Sequence, residues 1–485
     1  MFKKGFIILL CLFTFILVGC SAPYNKGYYN SGSGGETYLE LNESGYINTK
    51  DNNKVNVSLD SSNAAYSNLR RLINNGITIN PDAVNIEQML NYFNYSYVND
   101  SKEQLQSFLE IGTCPWNENN KLLSVAIKAK DYQVENKKPN NFVFLLDVSG
   151  SMYNENKLPL MINAFKILID NLNNEDRVSI VTYANGDMVL LDGGYGYEKT
   201  KISAIISDLE AGGSTAGAKG IQTAYELASK YYIEGGNNRV FLATDGDFNV
   251  GINNTTDLKN FISEKRQTGI YLSLFGFGQG NLRSDVMDTL AQAGNGNYYY
   301  IDSILEAQKI FINELGGTLE TVAKDCKAQI EFNENIVSQY RVLGYENKLL
   351  TDDEFNDSET DAGEIGAGHV TICFIELTLT ENYNQEKEFI AKCTLRYKDV
   401  KDNEMNKEII NEVSSISDSL SNDFIFASAV VEFALCLRDS QYKENASLEN
   451  VIEKINKDVF LQDQYKKEFY ELVLKYIDSK GVINK

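Results

Sequence analysis

The chain has 485 residues, more than one ordinary hydrophobic core serves, so two or three domains are expected. With 43% hydrophobic and 23% charged residues, general disorder and collagen-like or low-complexity architectures are excluded. Lys plus Arg number 45 against 67 Asp plus Glu, a formal charge of −22 that repels phosphate backbones, so nucleic acid is not an expected partner. The single histidine, His369, leaves almost no material for paired-histidine zinc sites or imidazole-based proteolytic triads.

The N-terminus carries Lys3 and Lys4, an apolar run over 5–18 and then Gly19-Cys20, the pattern of a secretory signal. The apolar run is shorter than the ~20 residues a spanning helix needs. Leu17-Val18-Gly19-Cys20 resembles the lipobox of bacterial lipoproteins. That resemblance implies removal of residues 1–19, lipidation of Cys20 and a membrane-anchored protein on the extracytoplasmic face. Residues 20–36, with Ser31-Gly32-Ser33-Gly34-Gly35, read as a flexible tether. Five further cysteines, Cys114, Cys326, Cys373, Cys393 and Cys436, form no CxxC pair, so buried free thiols are expected, with Cys373 and Cys393 the one pairing to test.

Residues 37–140 read as a small helical module followed by strand. One helical face carries Tyr66, Leu69 and Ile73 and stops at Asn75-Gly76; a second opens at Asn80-Pro81 and carries Ala83, Ile86, Leu90 and Phe93. Residues 122–130 alternate as a strand does. From 141 to 317 unbroken apolar runs (142–146, 177–183, 239–243, 270–275, 298–301) alternate with helical patterns (158–172, 216–232, 256–267, 285–292, 304–315). This predicts a doubly wound α/β domain, a mostly parallel sheet covered on both faces. Residues 318–420 are β-rich, and 421–485 return to helical periodicity. The strands flanking the α/β stretch are expected to share one assembly, which would make that stretch an insertion into a β-sandwich.

The chemistry concentrates where parallel strands end, since the loops at the carboxyl edge of an open sheet form its binding crevice. Asp147-Val148-Ser149-Gly150-Ser151 follows the first strand, Gly212-Gly213-Ser214-Thr215 precedes a helix, and Thr244-Asp245-Gly246-Asp247 follows a later strand. Each alone reads equally as a turn or a helix cap. Together they place two carboxylates and three hydroxyls on one edge. A hard divalent cation takes such oxygens and keeps waters, and hydroxyl ligands leave it electrophilic.

The order Asp-x-Ser-x-Ser, Thr, Asp closely resembles the metal-ion-dependent adhesion site of von Willebrand factor type A domains, over about 142–315. The resemblance implies that Asp147, Ser149, Ser151, Thr215 and Asp245 bind Mg²⁺ (or Mn²⁺ or Ca²⁺) directly or through water. It further implies that the metal captures an acidic group, a carboxylate, of a protein partner. The flanks, including 340–347 and 361–364, resemble segments that accompany this domain in a group of bacterial lipoproteins. The expected function is therefore a surface-displayed binding protein, not an enzyme.

Two rival classes are a structural envelope protein whose metal locks its loops and a Mg²⁺-dependent hydrolase. Against the latter, Ala218 stands where a P-loop needs lysine. Val250 and Thr256 stand where an EF-hand needs Gly and Glu, and Asn281 where a dinucleotide fingerprint needs its third glycine. The acidic stretch 352–364 is expected to be a solvated loop, and His369 a strand-end residue.

Overall fold

A computed structural model describes residues 30–31, 35–131, 138–184, 186–213, 219–246, 254–314, 320–381, 383, 388–401 and 405–481. In chain order the main strands before and within the α/β stretch are β1 Lys54–Ser58, β2 Leu105–Cys114, β3 Asn117–Ala129, β4 Asn140–Asp147, β5 Arg177–Tyr183, β6 Asp187–Tyr195, β7 Asn237–Thr244, β8 Ile270–Phe277 and β9 Tyr298–Ile301. After it come β10 Thr321–Phe332, β11 Val337–Leu343, β12 Val370–Leu379, β13 Ala391–Asp399 and β14 Met405–Val413. The helices are α1 Ala64–Asn74, α2 Ile86–Asn91, α3 Leu158–Asp170, α4 Lys199–Ser207, α5 Gly220–Lys230, α6 Thr255–Arg266, α7 Ser284–Ala293, α8 Ile304–Gln308, α9 Asn422–Arg438, α10 Leu448–Ile455 and α11 Gln464–Ser479.

The α/β sheet has the order β9-β8-β7-β4-β5-β6, parallel except for β6. Its strands are apolar throughout because both faces are covered. Phe142, Phe144 and Leu146 enter one core with α3, and Val143 and Leu145 enter the other with α5 and α7. Such two-sided burial is what makes a parallel strand read as a continuous run rather than an alternation.

The flanks form two antiparallel sheets. In one, β1 pairs with β10, which pairs with β13 and then β14; in the other, β11, β12, β3 and β2 are neighbours. Strands from before and after residues 140–314 thus pair directly, and the α/β domain is an insertion into a β-sandwich. Leu123, Val125 and Ile127 of β3 and Cys373 and Ile375 of β12 face the sandwich core. Their neighbours Leu122, Ala126, Ile372 and Phe374 point the opposite way, onto a layer made by α1, α2, α9 and α11. The period of two thus accounts for a strand with two different apolar neighbours.

Several expectations are corrected. The strand β2, the edge strand β6 and the helix α4 were not among the expected elements, although Ile202 and Ile206 of α4 and Leu105 and Ile111 of β2 are buried. Met188 and Val189 of β6 are exposed, and backbone pairing to β5 holds the strand in place. The last helix of the insertion is not one α-helix. After Gln308 it continues as a π-helical run, Lys309–Glu314, in which Lys309 reaches Glu314 five residues on. The acidic stretch is not wholly a loop: Thr351 and Glu354 form a capping box on the short helix Asp352–Asn356, and Glu364 sits in the strand Gly363–Gly366. His369 stands just before β12, and burial lowers its pKa to about 4. The five described cysteines, Cys373 and Cys393 among them, are free thiols. Among the described residues no helix is long and apolar enough to cross a membrane. Cys20 and residues 1–29 lie outside the described residues.

Candidate functional site

Strands β4 and β7 are adjacent and parallel, with Ala243 opposite Leu146, so Asp147 and Thr244-Asp245 leave the carboxyl edge side by side. Both Asp147 and Asp245 are fully buried, as is Ser149. The loop after β4 turns at once: the Ser149 N–H donates to Asp147 Oδ1 (2.9 Å), and Gly150–Tyr153 forms a short 3₁₀ turn. That turn brings Ser151 Oγ to 3.0 Å from Ser149 Oγ. On its other oxygen Asp147 accepts from Thr244 Oγ1 (3.0 Å) and Tyr183 Oη (3.3 Å), which fixes the carboxylate from behind.

The third loop joins through its backbone. Gly212 N donates to Val148 O (2.9 Å), and Gly150 N donates to Gly213 O (3.1 Å). This pins the segment leading to Thr215 against the Asp147 loop; Thr215 itself lies outside the described residues. On the far side Gly246 adopts φ +102°, and a Cβ there would lie 2.6–2.7 Å from Asn281 O, Leu282 Cα and Arg283 N. Only glycine lets the loop after β7 approach the loop after β8 so closely.

Of the predicted site residues, the structure therefore brings Asp147, Ser149, Ser151 and Asp245 to one edge. It also reveals a residue that sequence reasoning missed. Lys157, 5% exposed, donates from Nζ to Asp245 Oδ2 (2.7 Å) and to Asn281 Oδ1 (3.3 Å). A signal was present: Lys157 occupies the cap position of α3 without capping it, and a cation at a helix N-terminus runs against the helix dipole. A charge placed there against local preference is serving something else.

Of the two buried carboxylates of the edge, Asp245 has an ion pair with Lys157. No lysine or arginine among the described residues pairs with Asp147. Burial, with the neighbouring Asp245 carboxylate adding to it, pushes Asp147 up to about 6, against the hydrogen bonds from Ser149 and Thr244 that pull it down. Two buried carboxylates balanced by one ammonium, with two serine hydroxyls beside them, suit a hard divalent cation. No cluster of three or more His, Cys, Asp or Glu side chains is found among the described residues. The donor set is instead of the mixed carboxylate and hydroxyl kind. Tyr153, 80% exposed, stands at the rim two residues from Ser151.

Comparison with known proteins agrees with this architecture. Residues 141–313 match the von Willebrand factor type A domain, residues 33–124 match a model described as von Willebrand factor, and residues 317–478 match the C-terminal region of the uncharacterized protein YfbK. Type A domains serve protein–protein interaction or adhesion in general and commonly bind a divalent metal at a site of this kind. Among solved structures, a von Willebrand factor type A protein from Catenulispora acidiphila is 13% identical, with a TM-score of 0.43, covering 78% of this chain and 91% of that one. The uncharacterized protein sll0103 of Synechocystis is 29% identical over 190 residues, 39% of this chain and 43% of that protein. The uncharacterized protein YfbK of Escherichia coli is 37% identical over 458 residues, 88% of this chain and 78% of that protein. Identity at that level, sustained through the sandwich, the insertion and the terminal helices, means that the chain belongs to the YfbK family, built around a von Willebrand factor type A domain.

Proposed function

We propose that this protein is a lipid-anchored binding protein of the extracytoplasmic membrane face, in which the inserted domain captures an acidic group of a protein partner through a divalent metal, Mg²⁺ or its stand-ins Mn²⁺ and Ca²⁺. The observation that carries the reading is the carboxyl edge itself, where the buried carboxylates of Asp147 and Asp245 and the hydroxyls of Ser149 and Ser151 meet. By the sequence resemblance, Thr215 would complete the donor set. Bound there, the cation supplies an electrophilic position that an incoming carboxylate can occupy. The residues of the chain do the rest. Thr244 and Tyr183 hold the Asp147 carboxylate, the 3₁₀ turn presents the two serines, and Tyr153 offers an exposed aromatic surface beside them. Cys20, as the lipidated first residue of the mature chain, tethers the assembly to the bilayer.

The reading assigns no bond-breaking step. Its test is retention of envelope proteins on the immobilised full chain in Mg²⁺ and their elution by EDTA. Asp147→Ala and Thr215→Ala should each abolish chelator-sensitive retention while the far-ultraviolet circular dichroism stays that of the parent. Retention unchanged in both variants overturns the proposal, and retention indifferent to EDTA points instead to a purely structural metal.

A further inference from the structure

Lys157 does more than fill a buried position. Its backbone is fixed where α3 begins: its N–H donates to Asn154 O (2.9 Å), and Met161 N donates to its carbonyl (2.8 Å). Its aliphatic stem lies along Gly278, which holds φ +75°; a Cβ at that position would come within 2.5 Å of Lys157 Cγ and Cε. Tyr300 Oη in turn donates to Gly278 O and holds that strand end against the stem. The ammonium therefore arrives through a channel shaped for it and stops between Asp245 and Asn281, both of them on loops of the metal edge.

We infer that Lys157 is the built-in counter-charge of this site and sets its preference for anionic guests; the inference rests on the metal-site reading above. The argument is one of charge in a water-poor place, where electrostatic terms are strong. Asp147 and Asp245 bring two negative charges and Lys157 returns one, so these three groups together are singly negative. A divalent cation makes them singly positive. A monocarboxylate then leaves them neutral, whereas a neutral guest leaves a buried charge uncompensated. Without the ammonium the ledger moves down by one: the two carboxylates together are doubly negative, the loaded site neutral, and a bound carboxylate leaves excess negative charge. Removing Lys157 should therefore act in opposite directions on the two ligands. It strengthens attraction for the metal and weakens attraction for the guest.

A merely structural ion pair predicts something else. Loss of Lys157 would then lower the stability of the metal-free protein by taking the ammonium away from Asp245, and metal would restore it, but the loaded site would bind a carboxylate as before. The two roles separate on the guest.

The experiment uses the full mature chain and three substitutions, Lys157→Met, Lys157→Gln and Lys157→Arg. Methionine keeps an unbranched stem for the Gly278 channel, and glutamine keeps a polar tip for Asp245 and Asn281 should methionine fail to fold. Mn²⁺ is the metal probe, titrated by the electron paramagnetic resonance of the free ion. Acetate is the guest probe, titrated onto the Mn²⁺-loaded protein by water-proton relaxation, with acetamide as its neutral counterpart. The neutral variants should bind Mn²⁺ roughly tenfold more tightly and acetate roughly tenfold more weakly, the scale of close charge-pair couplings, with acetamide unaffected. Lys157→Arg, which keeps the charge, should stay within about threefold of the parent on both. Neutral variants that shift Mn²⁺ and acetate in the same direction, or leave acetate unchanged, overturn the inference while the metal site stands. A parent protein that takes up no Mn²⁺ overturns both.

Discussion

Arg70 is the most heavily committed cation in the molecule, and replacing it by methionine tests how the insertion is held in its frame. From α1 its guanidinium donates to both oxygens of Asp302, to Glu306 Oε2 (2.7 Å), to Tyr92 Oη (2.9 Å) and to both oxygens of Glu468 (3.0 Å each). Asp302 and Glu306 belong to the end of the insertion and Glu468 to α11, so one side chain joins three parts of the chain. The partners are unequal. The Glu306 and Asp302 side chains are 1% and 9% exposed, Glu468 33%. Stranding two buried carboxylates should cost roughly 3–5 kcal/mol, the usual result of removing one member of a buried pair. Glu468→Gln, which breaks a partly solvated contact, should cost about 1 kcal/mol or less. The assay is urea unfolding followed by fluorescence of the single tryptophan, Trp116, which is buried in the helical layer. The acidity of Glu306 gives a second handle. Burial raises its pKa, Arg70 lowers it, and in the variant it can escape its unpaired charge only by taking up a proton. The Arg70→Met deficit should therefore shrink as pH falls from 8 to 5. A loss below about 1 kcal/mol, or one that is flat with pH, would refute the view that Arg70 fastens the insertion.

Three further outcomes follow from the structure. Asp288, a buried residue of α7 that accepts from the Gln88 side chain, has its carboxyl pushed from 3.8 up to about 7 by burial, a protonation that favours the folded state at low pH. Its contribution is full below pH ~4 and is lost as pH rises through ~7, so Asp288→Asn should be more stable than the parent by roughly 2–4 kcal/mol at pH 8 and lose that advantage near pH 4; equal stability at pH 8 in urea melts contradicts this. Gly296→Ala would bring a Cβ to 1.8 Å from Leu272 O, a backbone atom, so it should lower the melting temperature through a loss of about 2–4 kcal/mol, and a variant as stable as the parent would show that the turn before β9 is looser than drawn. Cys20→Ser should abolish incorporation of labelled fatty acid and release the protein from the membrane fraction, whereas labelling that persists would locate the anchor elsewhere.

What was legible in the sequence follows from how each element is stabilised. The five parallel strands of the insertion announced themselves because both faces are buried, and β5, β9 and β12 begin and end where their apolar runs do. The pairing of β3 with β12 and of β1 with β10 could be expected from strands lying on both sides of the insertion, but the register could not, since it is set by side chains more than 200 residues apart. Edge strand β6 escaped notice because its apolar residues, Met188 to Leu191, do not share one fate: Leu191 enters the core while Met188 and Val189 stay exposed. In the site, Asp147, Ser149, Ser151 and Asp245 were legible through the rule that ligands gather at strand carboxyl ends. For Lys157 the only signal was its charge at the start of α3; its partner lies 88 residues on and only the fold brings them together.

The insertion is clasped at both ends of its sheet, and this decides what a captured partner would pull against. At the amino edge, Arg266 pairs with Asp361 (2.7 Å), Asn295 bonds Glu364, and Ser61 bonds Asn297 (3.3 Å), so the sandwich grips the strand starts. At the carboxyl edge Arg70 holds Asp302 just after β9, and Glu36, the last residue of the stretch expected to be a flexible tether, is instead buried and reaches this edge with Thr37 beside it. Glu36, 5% exposed, accepts from Gly280 N (2.8 Å) and from Arg71 (2.8 Å), and Thr37 N donates to Leu282 O (2.9 Å). Gly280 and Leu282 flank Asn281, the residue that shares Lys157 with Asp245. If the site captures a partner as proposed, a load on it would pass through the Gly280–Glu36 and Thr37–Leu282 hydrogen bonds to the segment before Thr37, and Arg71 of α1 ties that segment in turn to the helical layer.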